Sequence, residues 1–433
     1  MSPKVNRRDV IRGAGAAGIV GIAGCSSGGG DTTTETTTSS GGGGGTTTTT
    51  SSGQSNTRTL KHGVLLPTTG DLADLGVPIK NGAVLPETVL EGETDFSLDV
   101  SVQDTQTDPN AAQSAAQTLR NSGYPAVTGA ASSEVTIAVA KNVFIPSGMV
   151  ACSPASTSPA ITDLQDNGLI YRTPPTDALQ GQVLSQVAME RLDASTAATM
   201  YVNNSYGQLL SESFVNSFKG SGGSVTKQVS FQKAQSSYTS RLEQALGDDP
   251  DIIVVIGYPE SGKQLFSDFY SDFDSDVPIL VTDGLRSASL PSDIGNPMDN
   301  VTGTAPLADG PGRDFFNEQF QNAYGEEPGV YTAQAFDATA VCLLANAASG
   351  ENKGASIAGK MQAVANPGGE EVLPSTLADG LDMAAAGTEI QYKGASSAVD
   401  FDENGDLKAA TYEYFGFQQG GGIETIDTIQ FTA

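Results

Sequence analysis

The chain has 433 residues, of which 38% are hydrophobic and 17% are charged, so it can form the core of one large or two medium-sized domains. Acidic residues outnumber basic ones by 50 to 22, which gives a formal net charge of −28. Because phosphate binding needs clustered Lys and Arg, this balance excludes nucleic acid and an anionic membrane face as partners. The acidic residues are spread along the chain, which favours a protein working in high salt, where self-repulsion is screened. An ordinary acidic exported protein is the alternative.

Residues 1–25 have the layout of an export signal. Arg7 and Arg8 precede a mild apolar stretch at 13–23, which is too short to span a bilayer, and the arginine pair resembles a twin-arginine signal. Ile-Ala-Gly-Cys, ending at Cys25, follows and resembles a lipobox, in which the cysteine thiol receives a lipid. We therefore predict a cleaved lipoprotein signal whose anchor is Cys25.

Residues 26–57 are almost all Gly, Ser and Thr. The segment has no apolar side chain to bury in a core, so we predict a disordered stalk that holds the folded part off the membrane.

Upstream of the stalk, Gly13-x-Gly15-x-x-Gly18 imitates a dinucleotide-binding loop. Arginines instead of a strand precede that loop, so we reject a nucleotide site there.

Downstream of the stalk, short apolar strands alternate with helices. A strand at 60–66 is followed by a helix at 79–90 and a strand at 96–102, and the alternation restarts near residue 178. The apolar run at 252–256 predicts a fully buried central strand. This pattern predicts an α/β fold with two successive, doubly wound parallel sheets. Ligands bind at the carboxyl ends of such strands, so we expect a site in a cleft that closes by hinge motion.

Eight segments match one family pattern, at 69–76, 104–112, 129–133, 153–159, 204–207, 257–260, 336–338 and 399–406. The most specific match is the pair of loops Gly-Ala-Ala-Ser-Ser, ending at Ser133, and Ser-Pro-Ala-Ser-Thr-Ser-Pro, ending at Pro159. Together the segments resemble the type I periplasmic binding proteins, the solute-binding subunits of ABC importers. Among these, the leucine/isoleucine/valine receptors are the most similar.

This resemblance implies two lobes joined by three crossovers. Lobe 1 would comprise residues 58–174 and 306–398, and lobe 2 residues 175–305 and 399–433. It also implies a monomeric binding protein without enzyme activity, cofactor or metal, which delivers an amino acid, with a branched-chain one expected, to ABC permease subunits. With the predicted lipid anchor, the protein would lie on the outer face of the cell membrane.

The resemblance further implies that neutral donors in the first lobe hold the ligand's α-carboxylate. The corresponding residues here are Ser132 or Ser133, Ala155, Ser156 and Thr157. Hydroxyl and backbone N–H donors at helix starts bind an anion at a lower desolvation cost than a buried ion pair. Capping of helices is the alternative role of these residues, and the two roles are compatible.

In the family a carboxylate after a second-lobe strand meets the α-ammonium, which points to Asp283, while Tyr206 and Tyr258 would line the cleft. A solvated turn for Asp283 and simple packing at the cleft edge for the tyrosines are the alternatives. Many relatives have an aromatic residue in the opening loop, where this chain has Leu72-Ala73-Asp74-Leu75. Urea, a small amide or a carboxylate therefore remain alternative ligands.

The sequence offers little for enzyme chemistry. His62 is the only histidine, so no Ser-His-Asp or Cys-His arrangement has an obvious base. HExxH and P-loop sequences are absent. A hydrolase with a carboxylate pair remains an alternative, although no pair stands out.

Metal binding is also not indicated. The segment 400–406 (DxDxNGD) imitates half of a calcium loop, but its twelfth position is Thr411 instead of Glu, so we predict an acidic turn between two strands. Cys152 and Cys342 have no CxxC spacing. They are either buried and inert or paired with each other.

Two alternative functions would place the protein outside the importers. The protein would serve as the ligand-binding component of a sensor system if its membrane partner were a signalling protein. Alternatively, it would be a surface or adhesion protein that has kept the fold and lost its ligand. The hydroxyl-rich loops and Asp283 argue against the second alternative.

Overall fold

The computed structural model describes residues 58–274, 276–418 and 422–432, all within one unit of the chain, Gln54–Ala433. The predicted export signal with Cys25 and the predicted stalk lie outside the described residues. In the part that the structure describes, no helix is both long and apolar enough to cross a membrane.

Strands and helices alternate along the described chain, as its short apolar runs predict. The strands are β1 (Thr59–Leu66), β2 (Ser97–Asp104), β3 (Ala126–Gly129), β4 (Val150–Ser153), β5 (Ile170–Arg172), β6 (Thr196–Val202), β7 (Ser224–Phe231), β8 (Ile252–Ile256), β9 (Ile279–Val281), β10 (Val301–Pro306), β11 (Glu370–Val372), β12 (Ile390–Tyr392), β13 (Ala409–Phe417) and β14 (Ile423–Thr432).

The α-helices are α1 (Ala73–Leu90), α2 (Pro109–Asn121), α3 (Ser133–Val139), α4 (Ile145–Ser147), α5 (Pro159–Thr162), α6 (Asp177–Glu190), α7 (Ser205–Gly220), α8 (Thr239–Leu246), α9 (Pro259–Asp272), α10 (Leu290–Ile294), α11 (Arg313–Tyr324), α12 (Thr332–Ser349), α13 (Gly354–Ala365) and α14 (Leu377–Ala385). A π-helix (Ala140–Phe144) joins α3 to α4, and two 3-10 turns are formed by Asp283–Leu285 and Pro374–Thr376.

The first lobe is built on a five-stranded parallel sheet in the order β2-β1-β3-β4-β5. Val64, Leu65 and Leu66 are fully buried, because helices cover both faces of such a sheet. The central strands β1, β3 and β4 end at the same edge of the sheet. The opening loop and the two hydroxyl-rich loops that follow these strands are therefore neighbours in space, although they are far apart in sequence.

The second lobe is built on a seven-stranded sheet in the order β14-β13-β10-β9-β8-β6-β7. All five residues of β8 are buried, as predicted for a central strand. Strands β6, β8 and β9 end beside one another and lead to Tyr206, Tyr258 and Asp283 respectively. The predicted fold class of two doubly wound lobes is confirmed.

One feature of the second sheet differs from a wholly parallel arrangement. Strand β13 is antiparallel to β10, and β14 is antiparallel to β13. The reason is the short connection between β13 and β14, because a parallel pair needs a crossover of a dozen or more residues. The last two strands therefore form a hairpin at the edge of the sheet.

The third crossover lies later in the chain than residue 398, where we expected it. Val399, Phe401 and Leu407 belong to the first-lobe hydrophobic core, and the chain joins the second sheet only at Ala409. Phe401 and Leu407 form an antiparallel bridge that closes an acidic turn. This is the acidic turn that we predicted between two strands, but it packs on the first lobe. Residues 399–407 therefore belong to lobe 1, and lobe 2 resumes later than the predicted residue 399.

Helix α12 crosses the first lobe through its centre, and every residue from 332 to 347 is buried. It packs closely against α1 at Gly82, where a Cβ atom would collide with the carbonyl oxygen of Thr332. The absence of a side chain at this position allows the two helices to approach.

We expect Gly82→Ala to lower the free energy of unfolding by about 1–3 kcal/mol, the usual cost of overpacking. Gly359→Ala in α13 is the matched control, because an added Cβ there meets no atom within 4 Å. The control should stabilise the helix by about 0.5–1 kcal/mol. Urea unfolding of both variants checks the prediction. A free energy of unfolding that is the same in Gly82→Ala as in the wild type would contradict the close approach of α1 and α12.

Candidate ligand-binding site

A small cavity of about 20 Å³ lies between the two lobes, at the carboxyl ends of the strands. Apolar side chains of the first lobe, mainly from α1, line one side of it, and tyrosines line the other side. The lining residues are Leu72, Leu75, Ile79, Ala131, Ser133, Ala155, Tyr206, Tyr258 and Tyr331. Four of the sequence-predicted site residues, Ser133, Ala155, Tyr206 and Tyr258, therefore meet at one place.

A larger cavity, of about 390 Å³, lies at the crossovers. Its charged side chains already have partners within the protein: Lys408 pairs with Asp400 at 2.7 Å, and Thr411 donates to Asp309 at 2.6 Å. The interlobe cavity, in contrast, is bordered by buried groups without partners. We therefore take the interlobe cavity as the candidate site.

The first-lobe serines have different roles. The Ser133 Oγ accepts hydrogen bonds from the backbone N–H groups of Thr157 and Ser158, both at 3.2 Å. Its own hydroxyl proton is left to donate into the cavity that it lines. The Ser156 Oγ donates to the carbonyl oxygen of Ala131 at 2.9 Å, so it holds the loop and does not face the cavity. The Ser132 hydroxyl lies 3.2 Å from the Tyr258 hydroxyl and thus bridges the two lobes.

Thr157 and Asp177 are buried beside each other with unused polar atoms. The backbone N–H of Asp177 donates to the Thr157 carbonyl at 2.8 Å. The Thr157 Oγ1 and both carboxylate oxygens of Asp177 have no hydrogen-bond partner of ordinary geometry among the described residues. The Thr157 hydroxyl nevertheless lies close enough to Asp177 to oppose the rise in the pKa of this carboxyl, as does the charge of Arg172. Asp177 was not among the sequence-predicted site residues. An aspartate in the first turn of a helix is common, so the sequence carries no further signal at this position.

Asp283 is also buried, with 3% of its surface exposed, so the alternative of a solvated turn residue is wrong. It starts the 3-10 turn after β9 and accepts a hydrogen bond from the Tyr206 hydroxyl at 3.3 Å. The same hydroxyl lies 2.8 Å from Thr282 Oγ1. The rings of Tyr206 and Tyr258 are nearly parallel, with centroids 5.7 Å apart, and together they form the second-lobe wall of the cavity.

The electrostatics of the site favour a cation. Burial raises the pKa of Asp283, and burial together with the charge of Asp283 raises the pKa of Asp177 well above its ordinary value. Neither carboxylate has an ion-pair partner in the described part of the chain. Two buried carboxylates without a counter-ion are costly, and a bound ammonium group would relieve that cost.

The lobes are in contact at the mouth of the cleft. The Ser261 hydroxyl of the second lobe donates to Asp71 of the first at 2.9 Å. The Lys263 Nζ reaches Asp74 of the first lobe at 2.8 Å and also contacts Glu260 and Asp293 of the second, at 2.9 and 3.3 Å. Closure brings acidic residues of both lobes together, and Lys263 offsets part of their repulsion. Lys233 is a second cation at this contact, since its Nζ donates to the Thr107 carbonyl of the first lobe at 3.0 Å.

Residues considered for enzyme or metal chemistry lie elsewhere. His62 is buried in β1, where its Nε2 lies 2.9 Å from Thr128 Oγ1, and burial lowers its pKa to about 3. Cys152 and Cys342 are free and buried, and burial raises the pKa of both thiols. Among the described residues, no group of His, Cys, Asp and Glu is arranged to hold a metal ion.

Residues 89–420 match the family model described as "Receptor family ligand binding region". The chain belongs to this family. Because the family is one of ligand-binding regions, the prediction of a binding protein that is not an enzyme is confirmed.

Two relatives extend the comparison. The chemotactic signal transduction system substrate-binding protein BasB of Halobacterium salinarum is 28% identical over 338 residues, which are 76% of this chain and 78% of BasB. The leucine-, isoleucine-, valine-, threonine- and alanine-binding protein of Pseudomonas aeruginosa is 22% identical over 356 residues, covering 81% of this chain and 87% of the relative. The resemblance to branched-chain amino acid receptors is confirmed.

Solved structures share the fold. The leucine-binding protein LivK from Thermotoga maritima superimposes with a TM-score of 0.72 at 24% identity, over 86% of this chain and 98% of LivK. LivJ from Streptococcus pneumoniae, solved in complex with isoleucine, gives a TM-score of 0.71 at 21% identity, over 87% of this chain and all of LivJ. The fold of type I periplasmic binding proteins is thereby confirmed.

We expect Lys263→Met to favour the open form of the ligand-free protein, because it removes the cation that joins the acidic faces of the two lobes. An ion-pair network of this exposure contributes up to about 1 kcal/mol, or roughly a fivefold change in the ratio of open to closed forms. Small-angle X-ray scattering at low salt should show a larger radius of gyration.

Lys227→Met is the control, because Lys227 pairs with Asp248 inside the second lobe. Equal radii of gyration for Lys263→Met and the wild type at low salt would show that Lys263 does not hold the lobes together. The difference should shrink in molar salt, where the charges are screened.

Proposed function

We propose that this protein is the solute-binding component of an ABC importer and that it binds a zwitterionic, branched-chain amino acid between its lobes. The observation that carries the proposal is the pair of buried carboxylates, Asp177 and Asp283, which have no counter-ion and lie next to hydroxyl donors and an apolar wall. An amino acid has a group to match each of these features: an ammonium for the carboxylates, a carboxylate for the hydroxyl donors and a side chain for the apolar wall.

The carboxylate of the ligand would be bound by the first lobe. The hydroxyl proton of Ser133 would be one donor, and the Thr157 hydroxyl, which lies beside the Asp177 carboxylate, would turn to the ligand as the other. Ala155, two residues before Thr157 in the same loop, lines the cavity. Neutral donors of this kind bind an anion without burying a second full charge in the first lobe.

The ammonium group would lie between Asp177 and Asp283. The two residues come from the start of α6 and the end of β9, so the ammonium would join elements that only the folded chain brings together. Charge-assisted hydrogen bonds to a desolvated carboxylate are about twice as strong as neutral ones. This pairing favours an amino acid over a ligand that has a carboxylate or an amide alone.

The side chain of the ligand would contact Leu72, Leu75, Ile79 and Ala131. These residues form an apolar wall of the cavity, whose volume of about 20 Å³ is far below the ~300 Å³ at which ordinary small-molecule sites begin. The ligand would therefore enter only when the lobes separate. An aliphatic side chain matches this wall in polarity.

Binding would stabilise the closed form, because the ligand gains contacts from both lobes only when the cleft is shut. Permease subunits would then recognise the closed protein.

A sensor role is the second candidate, and the observation in its favour is the 28% identity to BasB, a chemotactic substrate-binding protein. Both roles use the same ligand site and differ in the membrane partner.

Titration calorimetry with leucine, isoleucine, valine, benzoate and urea tests the ligand class. We expect the aliphatic amino acids to bind and benzoate and urea to fail. Asp177→Asn and Asp283→Asn should each weaken amino acid binding tenfold or more, because each removes one charge-assisted contact.

Asp276→Asn serves as the control, because it removes an exposed carboxylate far from the described cavity lining and should leave the affinity unchanged. Binding of benzoate or urea with no response to the amino acids would refute the proposed ligand class. Unchanged affinity in both buried variants would refute the ammonium site.

We also propose that the mature protein is lipid-anchored at Cys25 after twin-arginine export, faces the outside of the cell and works in high salt. The arginine pair, the lipobox-like sequence and the net charge of −28 support this location. In a haloarchaeal host, the wild type should fractionate with membranes and Cys25→Ser should not, while Ser27→Ala should behave like the wild type. Membrane retention of Cys25→Ser would contradict the anchor.

A further inference from the structure

Arg172, the last residue of β5, is fully buried and is the largest side chain that the core encloses completely. Its guanidinium forms a bidentate ion pair with Asp406, in which Nη2 lies 2.9 Å from Oδ2. Nη2 also donates to Thr162 Oγ1 at 2.6 Å. One charged group is thus fixed by several partners in a site without solvent.

The other side of the guanidinium faces the hydroxyl-rich loop of the candidate site. Nη1 donates to the carbonyl oxygens of Ser158 and Ser156, at 2.8 and 3.4 Å. These carbonyls belong to the residues on either side of Thr157. On the opposite side of the loop, the Ser133 Oγ accepts from the N–H groups of Thr157 and Ser158. The peptide groups that flank Thr157 are therefore held from two directions.

Asp406 connects this arrangement to the third crossover. The Asp402 side chain accepts from the backbone N–H of Asp406 at 2.9 Å, which closes the acidic turn. The backbone N–H of Arg172 donates to the carbonyl of Gly405 at 3.0 Å. The chain enters β13 only three residues after Asp406, at Ala409. The ion pair therefore joins the hydroxyl-rich loop to the third crossover between the two sheets.

Stability alone does not explain a buried ion pair at this place. Replacing such a pair by apolar side chains of similar volume is often neutral or stabilising, because desolvation offsets the attraction between the charges. The planar guanidinium has five donors in a fixed geometry, which suits a role in fixing the direction of several acceptors at once. A single ammonium group on Lys cannot make the same set of contacts.

We infer that Arg172 is a positioning residue: it orients the loop 156–158 so that the Thr157 hydroxyl points at the ligand's carboxylate, and Asp406 holds Arg172 in place. This inference rests on the proposed function, because it names an amino acid carboxylate as the group that the loop receives. Arg172 itself does not touch the ligand. Its effect should be confined to the part of the ligand that this loop binds.

The test compares leucine with leucinamide, which keeps the ammonium and the side chain but lacks the carboxylate. In the wild type, leucine should bind more tightly than leucinamide. In Arg172→Lys, we expect the affinity for leucine to fall tenfold or more, the usual effect of losing a well-directed bond to a charged group. The affinity for leucinamide should fall by less than about threefold, so that the ratio between the two ligands collapses.

Arg286→Lys is the matched control. Arg286 also pairs with a buried carboxylate, Glu413, but it contacts no residue of the loop 156–158. Its variant should leave the ratio of the two affinities unchanged. Titrations are made below the melting temperature of each variant, and Asp406→Asn, which loosens Arg172 without removing it, replaces Arg172→Lys if the latter does not fold.

The outcomes separate the two proposals. A wild type that binds no amino acid refutes the proposed function, and the role of Arg172 fails with it. A wild type that binds leucine, with variants that lose leucine and leucinamide equally or lose neither, leaves the proposed function intact and refutes the positioning role. A collapsed ratio in Arg172→Lys or Asp406→Asn, with an unchanged ratio in Arg286→Lys, supports it.

Discussion

Asp177 and Asp283 are buried in the cleft without a counter-ion, and the properties of the site follow from this pair. An uncompensated buried carboxylate must take up a proton, regain water or meet a cation. In a two-lobed protein, opening of the cleft returns water to both carboxylates, whereas a bound ammonium group allows the cleft to remain shut. If the protein binds an amino acid as we propose, the carboxylates would oppose closure of the empty protein and favour closure around a cationic ligand, which would make closure selective.

The surface charge acts on the same equilibrium. Acidic residues from both lobes meet at the mouth of the cleft, where Lys263 alone contacts Asp74, Glu260 and Asp293. In a chain with a formal net charge of −28, closing the cleft brings like charges together. Molar salt would screen this repulsion, so the environment that we propose for the protein also eases the motion that binding needs.

Arg172 connects the hydroxyl-rich loop to the third crossover. It contacts the carbonyls beside Thr157 and the carboxylate of Asp406, shortly before the chain enters the second sheet. The orientation of the hydroxyl donors and the path of the third crossover are therefore parts of one hydrogen-bonded unit. A movement of the crossover during closure would be transmitted to the loop through a rigid, planar group instead of through flexible side chains.

The sequence by itself determined the fold class, the buried strand β8 and the loops of the site, because these depend on local patterns such as apolar periodicity and on short motifs with a family resemblance. It also pointed to Ser133, Tyr206 and Tyr258, which line the interlobe cavity. Two further predicted residues lie close by: Asp283 is hydrogen-bonded to Tyr206, and Thr157 is buried beside Asp177. Only the tertiary structure decided the role of Asp177, the engagement of Ser156 within its own loop, the path of residues 399–407 on the first lobe and the contacts of Arg172. These depend on which atoms become buried without a partner and on which distant segments meet, and no local pattern in the sequence records either of them.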